Sequence, residues 1–108
     1  MSVFSNKKCV PCEEGGEPLR HSQVLKYLKE LGGDWVNLSG AKIRKVFKFK
    51  GFKEAMVFIN KVADIAEKEG HHPDIYISYS KVTIELSTHA VQGLSENDFI
   101  LADKIQKI

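Results

Sequence analysis

Three of the four histidines lie in the second half of the chain, and two of these are adjacent. His71 and His72 stand in the sequence Gly-His-His-Pro, and His89 ends the sequence Leu-Ser-Thr-His. Histidine gains and loses a proton near neutral pH and can therefore act as a general acid or base. Because a helix is predicted to end at Gly70, its free carbonyls would favour the protonated form of the histidine beside it. The pattern indicates proton transfer; the alternative is that these histidines are solvated loop residues or helix caps.

Metal binding receives less support from the spacing of the possible ligands. Two adjacent side chains on one loop, such as those of His71 and His72, seldom point at the same ion. Cys9 and Cys12 form a Cys-x-x-Cys, a spacing used by zinc sites and by redox motifs. A structural zinc usually needs four ligands, however, and Pro11 with the glycines that follow it indicates a loop rather than a strand-to-helix redox site. We expect neither a metal nor a cofactor.

The first half of the chain predicts one helix and one hairpin to carry these groups. Ser22 is a candidate cap for a helix that ends at Gly32 and Gly33. Its apolar positions recur at helical spacing: Val24, Leu25, Leu28 and Leu31. A turn at Ser39 and Gly40 then separates two short alternating segments, one with Trp35, Val36 and Leu38 and the other from Ile43 to Lys50.

The second half predicts a long helix, a second hairpin and a last helix. The long helix begins after Gly51 and ends at Gly70, with an apolar stripe of Phe52, Met56, Ile59, Val62, Ala63 and Ala66. The strands of the hairpin alternate through Ile75, Ile77 and Tyr79 and through Val82, Ile84 and Leu86, with His89 at the end of the second strand. Ser95 and Asp98 form a capping box before a stripe of Phe99, Ala102 and Ile105.

This order of elements, α-β-β-α-β-β-α, predicts an α+β fold. We expect a four-stranded antiparallel sheet with three helices packed on one face, and an open face that meets water or another subunit. With 108 residues the chain is long enough for a single domain, which we place at residues 20–108 after an N-terminal tail or loop at residues 1–19.

Composition narrows the possible partners and compartments. The formal charge is only +2, and basic residues alternate with apolar ones, so nucleic acid is not the expected partner. Arg44, Lys45, Lys48 and Lys50 form a basic strand, but no recognition helix accompanies it. No apolar run approaches the roughly 20 residues that span a bilayer, and the N-terminus lacks the apolar centre of a signal peptide. We expect a cytoplasmic protein without membrane contact.

One set of spaced residues resembles a known family signature. Glu67-Lys-Glu-Gly-His71-His72-Pro73 is followed by Tyr79, His89 and Asp98. In order and spacing these residues resemble the signature of the pterin-4a-carbinolamine dehydratases. The likeness extends over nearly the whole chain after Pro18, and Cys-Val-Pro-Cys-Glu-Glu-Gly-Gly near the N-terminus also resembles a segment of many microbial members.

The resemblance implies a fold, a reaction and partners. The implied fold is the α+β arrangement derived above. The implied enzyme is a hydro-lyase that converts 4a-hydroxytetrahydrobiopterin, or a related pterin, to the quinonoid dihydropterin without a cofactor. It thereby supports tetrahydrobiopterin recycling for an aromatic amino-acid hydroxylase. Members form homodimers or homotetramers, partly by joining sheets and packing helices between subunits.

The resemblance also implies site residues by position. The catalytic residues are His71, His72 and His89, and the residues along the pterin are Gly70, His71, His72, Ser87, Thr88, His89 and Ala90. Our hypothesis is that His71 and His89 supply the acid and base, while His72 holds the pterin or protonates one stereoisomer. Members often have an aromatic residue after the acidic position that follows His-His-Pro, whereas this chain has Asp74-Ile75-Tyr76, so Tyr76 is a candidate replacement.

Three supporting positions are Trp35, Glu67 and Asp98, and each has a structural alternative. Glu67 lies one turn before His71 and either supports a positive charge on that histidine or is a surface charge. The capping box alone explains Asp98. Trp35 is either a core residue or part of the pterin pocket.

Some animal members of the family are dimerisation cofactors of a transcription factor. A protein-binding or assembly role is therefore the alternative function, and it would not depend on the histidines.

Overall fold

The computed structural model describes Phe4, residues 7–9 and residues 17–108. Within these residues the predicted order α-β-β-α-β-β-α is confirmed, with one added 3-10 turn at His89–Val91. The helices are α1 (His21–Leu31), α2 (Phe52–Glu69) and α3 (Glu96–Gln106), and the strands are β1 (Val36–Leu38), β2 (Lys42–Lys48), β3 (Asp74–Ser78) and β4 (Lys81–Leu86).

The four strands form one antiparallel sheet in the order β1-β2-β4-β3. The turn between β1 and β2 uses the left-handed region at both Ser39 (φ 56°) and Gly40 (φ 74°), which suits the twist of a hairpin. Ile84 of β4 pairs with Lys45 of β2 and with Ile75 of β3, which fixes the register across the centre of the sheet.

The second hairpin turns earlier than the sequence pattern predicted. β3 ends at Ser78, and Tyr79 lies in the turn with φ 53° and a side chain that points to solvent, so the prediction of Tyr79 as a strand residue was wrong. β4 ends at Leu86, and His89 begins the 3-10 turn instead of ending the strand. An isolated bridge between Thr88 and Gly93 folds the chain back at this point and stops further pairing with β2.

The cap of α1 also differs from the prediction. The N-cap is Arg20 rather than Ser22, because the Gln23 side chain accepts a hydrogen bond from the Arg20 backbone N–H at 2.9 Å. The capping box of α3 is confirmed: the Ser95 N–H donates to Asp98 Oδ2 at 3.0 Å.

The core lies between the helices and one face of the sheet. Val82, Ile84 and Leu86 of β4 are fully buried on or beside this face, and eight of the eleven residues of α3 are buried. α3 contacts both α1 and α2, so almost all of its circumference is covered. Phe4 also belongs to this core, since its ring stacks on Phe99 of α3.

The apolar stripe of α2 is rotated from the predicted one. The buried residues are Ala55, Phe58, Val62 and Ala66, whereas Phe52 and Ala63 are exposed. The cause is Phe58, whose ring packs against Phe47 and Phe49 of the first hairpin with centroids 4.7 and 4.9 Å apart. α2 therefore carries apolar residues on two faces, and only one of them is in the core.

No helix among the described residues is long and apolar enough to cross a bilayer.

Candidate active site

The ends of α2 and β4 and the first turn of α3 surround a cavity of about 440 Å³. The cavity is lined by Cys9, Glu69, Gly70, His71, His72, Ser87, Thr88, His89, Ala90 and Asn97. All seven positions that the resemblance placed along the substrate are in this wall. The three histidines therefore share one cavity although their elements are separated in the chain.

His71 is placed by the way in which α2 ends. Gly70 adopts the left-handed conformation (φ 66°), which favours glycine, and its N–H and that of His71 both donate to the carbonyl of Ala66. This motif turns the chain sharply and brings the His71 side chain back beside α3. The side chain is only 13% exposed.

His71 makes a short polar contact with Asp98 behind the cavity wall. The His71 Nε2 lies 2.6 Å from Asp98 Oδ1, and Asp98 is fully buried. The second carboxylate oxygen accepts hydrogen bonds from the Thr88 hydroxyl at 2.8 Å and from the Ser95 N–H at 3.0 Å. With these donors the buried charge is compensated. Asp98 thus caps α3, as predicted, and also accepts a hydrogen bond from the His71 ring.

Because a carboxylate only accepts, the contact with Asp98 assigns the ring proton of neutral His71 to Nε2. Its Nδ1 is then the nitrogen with a lone pair. The carboxylate also stabilises a positive charge on the ring when a second proton arrives. In this arrangement Nδ1 of the neutral ring can accept a proton in a fixed orientation.

The other two histidines are more open to solvent. His72 Nε2 lies 2.5 Å from Glu67 Oε2, but both side chains are largely exposed. Glu67 therefore contacts His72 and not His71, contrary to the pairing that helical spacing suggested, because the turn at Gly70 moves His71 away from the surface of α2. His89 is exposed at the start of the 3-10 turn.

Trp35 and Tyr76 lie outside the cavity wall. Trp35 is buried on the helix-facing side of the sheet, where its Nε1–H donates to Gln106 Oε1 at 2.9 Å and its ring packs edge-on against Phe47. The core alternative for Trp35 therefore accounts for its contacts. Tyr76 is exposed on the opposite face of the sheet beside Thr83, so it does not reach the cavity.

Three residues of the wall were not predicted: Cys9, Glu69 and Asn97. No sequence pattern marked Glu69 or Asn97 as site residues; only their nearness in the chain to His71 and Asp98 pointed to the cavity. Cys9 was part of a recognised motif, but nothing in the sequence brings it to the histidines. Cys12 lies outside the described residues. Among the residues described, no cluster of histidine, cysteine and acidic side chains could hold a metal ion.

The environment of Cys9 keeps its thiol neutral. Partial burial, followed by the negative charges of Glu69 and Asp98, raises the pKa of Cys9 to about 12. The thiol is therefore protonated across the physiological range, and its Sγ lies 3.5 Å from the backbone carbonyl of Asn97, to which it can donate.

Comparison with known proteins relates the chain to one family. A family model described as pterin 4 alpha carbinolamine dehydratase matches residues 17–108. Two relatives carry the name "Putative pterin-4-alpha-carbinolamine dehydratase". The one from Alkaliphilus metalliredigens is 43% identical and covers 99% of this chain and 96% of its own. The one from Rickettsia canadensis is 46% identical and covers 98% and 97%.

Two solved structures share the fold. One is a transcriptional coactivator/pterin dehydratase from Brucella melitensis, with a TM-score of 0.78, 35% identity and coverage of 84% of this chain and 97% of its own. The other is a pterin dehydratase-like protein identified as a RuBisCO assembly factor in the alpha-carboxysome, with a TM-score of 0.61 and coverage of 71% and 90%. At 20% identity the second supports the fold alone. The extent of the family match and the identity to these relatives show that the chain belongs to the pterin-4-alpha-carbinolamine dehydratase family.

Proposed function

We propose that the protein dehydrates pterin-4a-carbinolamine by histidine acid-base catalysis. The observation that carries the proposal is the buried Asp98–His71 pair in a cavity that His72 and His89 also line. The substrate we propose is 4a-hydroxytetrahydrobiopterin or a close relative, and the product is the quinonoid dihydropterin. The reaction would support recycling of the pterin for an aromatic amino-acid hydroxylase in the cytoplasm.

The chemistry requires one proton donor and one proton acceptor. In a carbinolamine, one carbon carries both the hydroxyl and a nitrogen, so the nitrogen lone pair expels the hydroxyl when that oxygen is protonated. The C–O bond breaks, water leaves with the donated proton, and the cationic imine then loses a proton to a base. The two transfers leave the number of protons on the protein unchanged, and exchange with solvent then returns the acid and the base to their starting forms. General acid-base catalysis usually contributes a factor of roughly 10² to 10⁴.

The contacts favour a division of labour among the histidines. His71 serves as the base through Nδ1, because Asp98 occupies Nε2 and stabilises the imidazolium that results. His89 serves as the acid; it is exposed and can be recharged with a proton from solvent. His72 borders the open side of the cavity, where its contact with Glu67 holds it beside the pterin or lets it protonate one stereoisomer.

The decisive experiment follows the breakdown of the carbinolamine generated by a phenylalanine hydroxylase. Wild-type protein should accelerate the decay, and His71→Ala and His89→Ala should each lose about 10²-fold or more in kcat/KM. His21→Ala is a matched control, because this fourth histidine is exposed at the start of α1 and outside the cavity. A wild-type trace equal to the uncatalysed decay would refute the proposal.

A protein-binding or assembly role is the alternative, and an apolar flank of α2 beside its buried stripe is the observation that favours it. Phe52, Met56, Ile59 and Ala63 follow the i, i+4, i+7, i+11 spacing of packed helices; Ile59 packs partly against the core, whereas Phe52 is 52% exposed and Ala63 is exposed. We propose that a second copy of the chain covers this stripe in a homodimer or homotetramer. If His71→Ala loses dehydratase activity but still forms the oligomer, the enzymatic function is supported. If the wild type shows no dehydratase activity, the protein-binding role becomes the favoured function.

A further inference from the structure

The residues before the family-matched region reach the cavity. The match begins at residue 17, yet Cys9 is part of the cavity wall. Phe4 holds this N-terminal segment in the core, with its ring edge-on to Tyr27 at 5.5 Å and stacked on Phe99 at 6.0 Å. Lys7 Nζ lies 3.3 Å from the Glu96 carboxylate at the first turn of α3. The segment is thus fastened to α1 and α3 before it reaches the site.

Glu69 fastens the segment at the cavity itself. The Cys9 backbone N–H donates to Glu69 Oε1 at 2.8 Å, and the Glu69 side chain is only 7% exposed. The other carboxylate oxygen lies 4.0 Å from Lys104 Nζ of α3. On its far side, Cys9 Sγ contacts the backbone carbonyl of Asn97 at 3.5 Å. Cys9 therefore spans the gap between the end of α2 and the first turn of α3.

The chemical character of this wall suits a flat heteroaromatic ring. A neutral thiol beside two carboxylates is a poor nucleophile and a poor metal ligand, since both roles need the thiolate. It is instead a small, polarisable contact surface, and sulfur makes favourable contacts with aromatic rings. Most of the other wall residues also carry a polar group that can orient the substituents of such a ring.

We propose that Cys9 is part of the substrate-binding wall as a contact to the pterin ring, and that Glu69 is the positioning residue that holds the N-terminal segment in place. The inference rests on the proposed dehydratase function and extends it, because it adds a specificity-determining wall outside the histidine signature. The segment contributes to binding in the ground state and in the transition state alike, since it offers no group that transfers a proton.

The test separates KM from kcat. Cys9→Ala removes the sulfur contact and should raise KM about two- to tenfold with kcat within about twofold of wild type. Cys9→Leu places a larger side chain in the same wall and should raise KM at least as much as Cys9→Ala does. Lys8→Ala is the matched control, because this neighbouring side chain is exposed and outside the cavity wall. Unchanged KM in both Cys9 variants would overturn the proposal.

The role of Glu69 is tested by comparing a substitution that removes the hydrogen-bond acceptor with one that keeps it. Glu69→Ala removes the acceptor of the Cys9 N–H and should raise KM as Cys9→Ala does, whereas Glu69→Gln keeps an acceptor oxygen and should restore most of the affinity. Equal effects of the two substitutions would contradict the positioning role. Thermal unfolding of each variant is measured in parallel. If Cys9→Leu does not fold, the KM values of Cys9→Ala, Glu69→Ala and Glu69→Gln still test the proposal.

Equilibrium binding keeps this proposal distinct from the proposed function. Binding of 7,8-dihydrobiopterin to the wild type and the variants is followed by calorimetry, without turnover. A wild type that binds no pterin and has no dehydratase activity would refute the function and the inference together. A wild type that binds and turns over, with variants of unchanged affinity, would refute only the role of the N-terminal segment.

Discussion

At the scale of single residues, the site depends on one carboxylate with two structural tasks. Asp98 caps α3 through the Ser95 N–H and accepts from His71 at 2.6 Å. The sequence indicated the first task, since a capping box is a local pattern. The second joins residues 27 positions apart, and no local pattern reports it. Glu67 differs from its prediction for a more local reason: its partner is His72 instead of His71, because the turn at Gly70 lies between them.

Substitution of Asp98 should separate these tasks. Asparagine keeps a side-chain oxygen that can accept the hydrogen bond from the Ser95 N–H, so Asp98→Asn should keep the capping box of α3. It carries no charge to stabilise the His71 imidazolium, and its amide can select the other tautomer, so kcat should fall on the order of 10²-fold. The measurements are kcat from carbinolamine decay and the free energy of unfolding from urea titration.

Ser95→Ala is the complementary control for Asp98→Asn. It removes the capping hydroxyl of α3 but keeps the contact between Asp98 and His71. We expect a loss of about 1 kcal/mol in unfolding free energy with kcat largely retained. The assignment of Asp98 would be wrong if Asp98→Asn lost stability and kept kcat.

At the scale of elements, the way in which α2 ends determines the positions of the His71 and His72 side chains. A helix that ends in a left-handed glycine turns its chain sharply, and here the turn delivers His71 to α3 and leaves His72 near solvent. Helical spacing predicted this end at the correct residue, because Gly70 and Pro73 are local signals. The rotation of the α2 stripe was not predictable in the same way, because it results from packing of Phe58 on the first hairpin.

Gly70 should resist substitution for conformational reasons alone. No atom lies within 4 Å of a Cβ placed at Gly70, so a side chain has room, but its φ of 66° strains any L residue. We expect Gly70→Ala to lower the free energy of unfolding by about 1 kcal/mol, and Gly70→Asn to lower it less, since asparagine tolerates this region. Urea unfolding of the wild type and the two variants measures whether stability falls in the order wild type, Gly70→Asn, Gly70→Ala. Equal stability of all three proteins would contradict the prediction.

At the scale of the whole molecule, α2 has an apolar flank on which Phe52 and Ala63 are exposed in the part of the chain that the structure describes. The open face of the sheet is a weaker candidate for self-association, because it carries the ion pair of Arg44 with Glu85 at 2.8 Å near its centre. A partly exposed helical stripe of this spacing suits packing against its own copy across a two-fold axis.

Light scattering should therefore report a dimer or a tetramer for the wild type. A charge in the α2 stripe, as in Phe52→Asp with Ala63→Glu, should lower the mass because it places carboxylates in the proposed contact. Tyr76→Asp, on the open face of the sheet, is the matched control and should leave the mass unchanged. A monomeric wild type, or dissociation by Tyr76→Asp alone, would contradict the assignment of this surface.

The sequence by itself determined the order of the elements, the α+β class and the family signature of His71, His72 and His89. These features are encoded locally, in the period of apolar residues, in caps and turns, and in fixed spacings. Only the tertiary structure decided which charges meet: Asp98 with His71, Glu67 with His72, and Glu69 with the backbone of Cys9. The contacts of Asp98 and of Glu69 join distant segments, whereas that of Glu67 with His72 crosses the turn at the end of α2; they depend on the angle at which α2 ends and on the packing of Phe4 and Phe58. No single stretch of the chain contains that information.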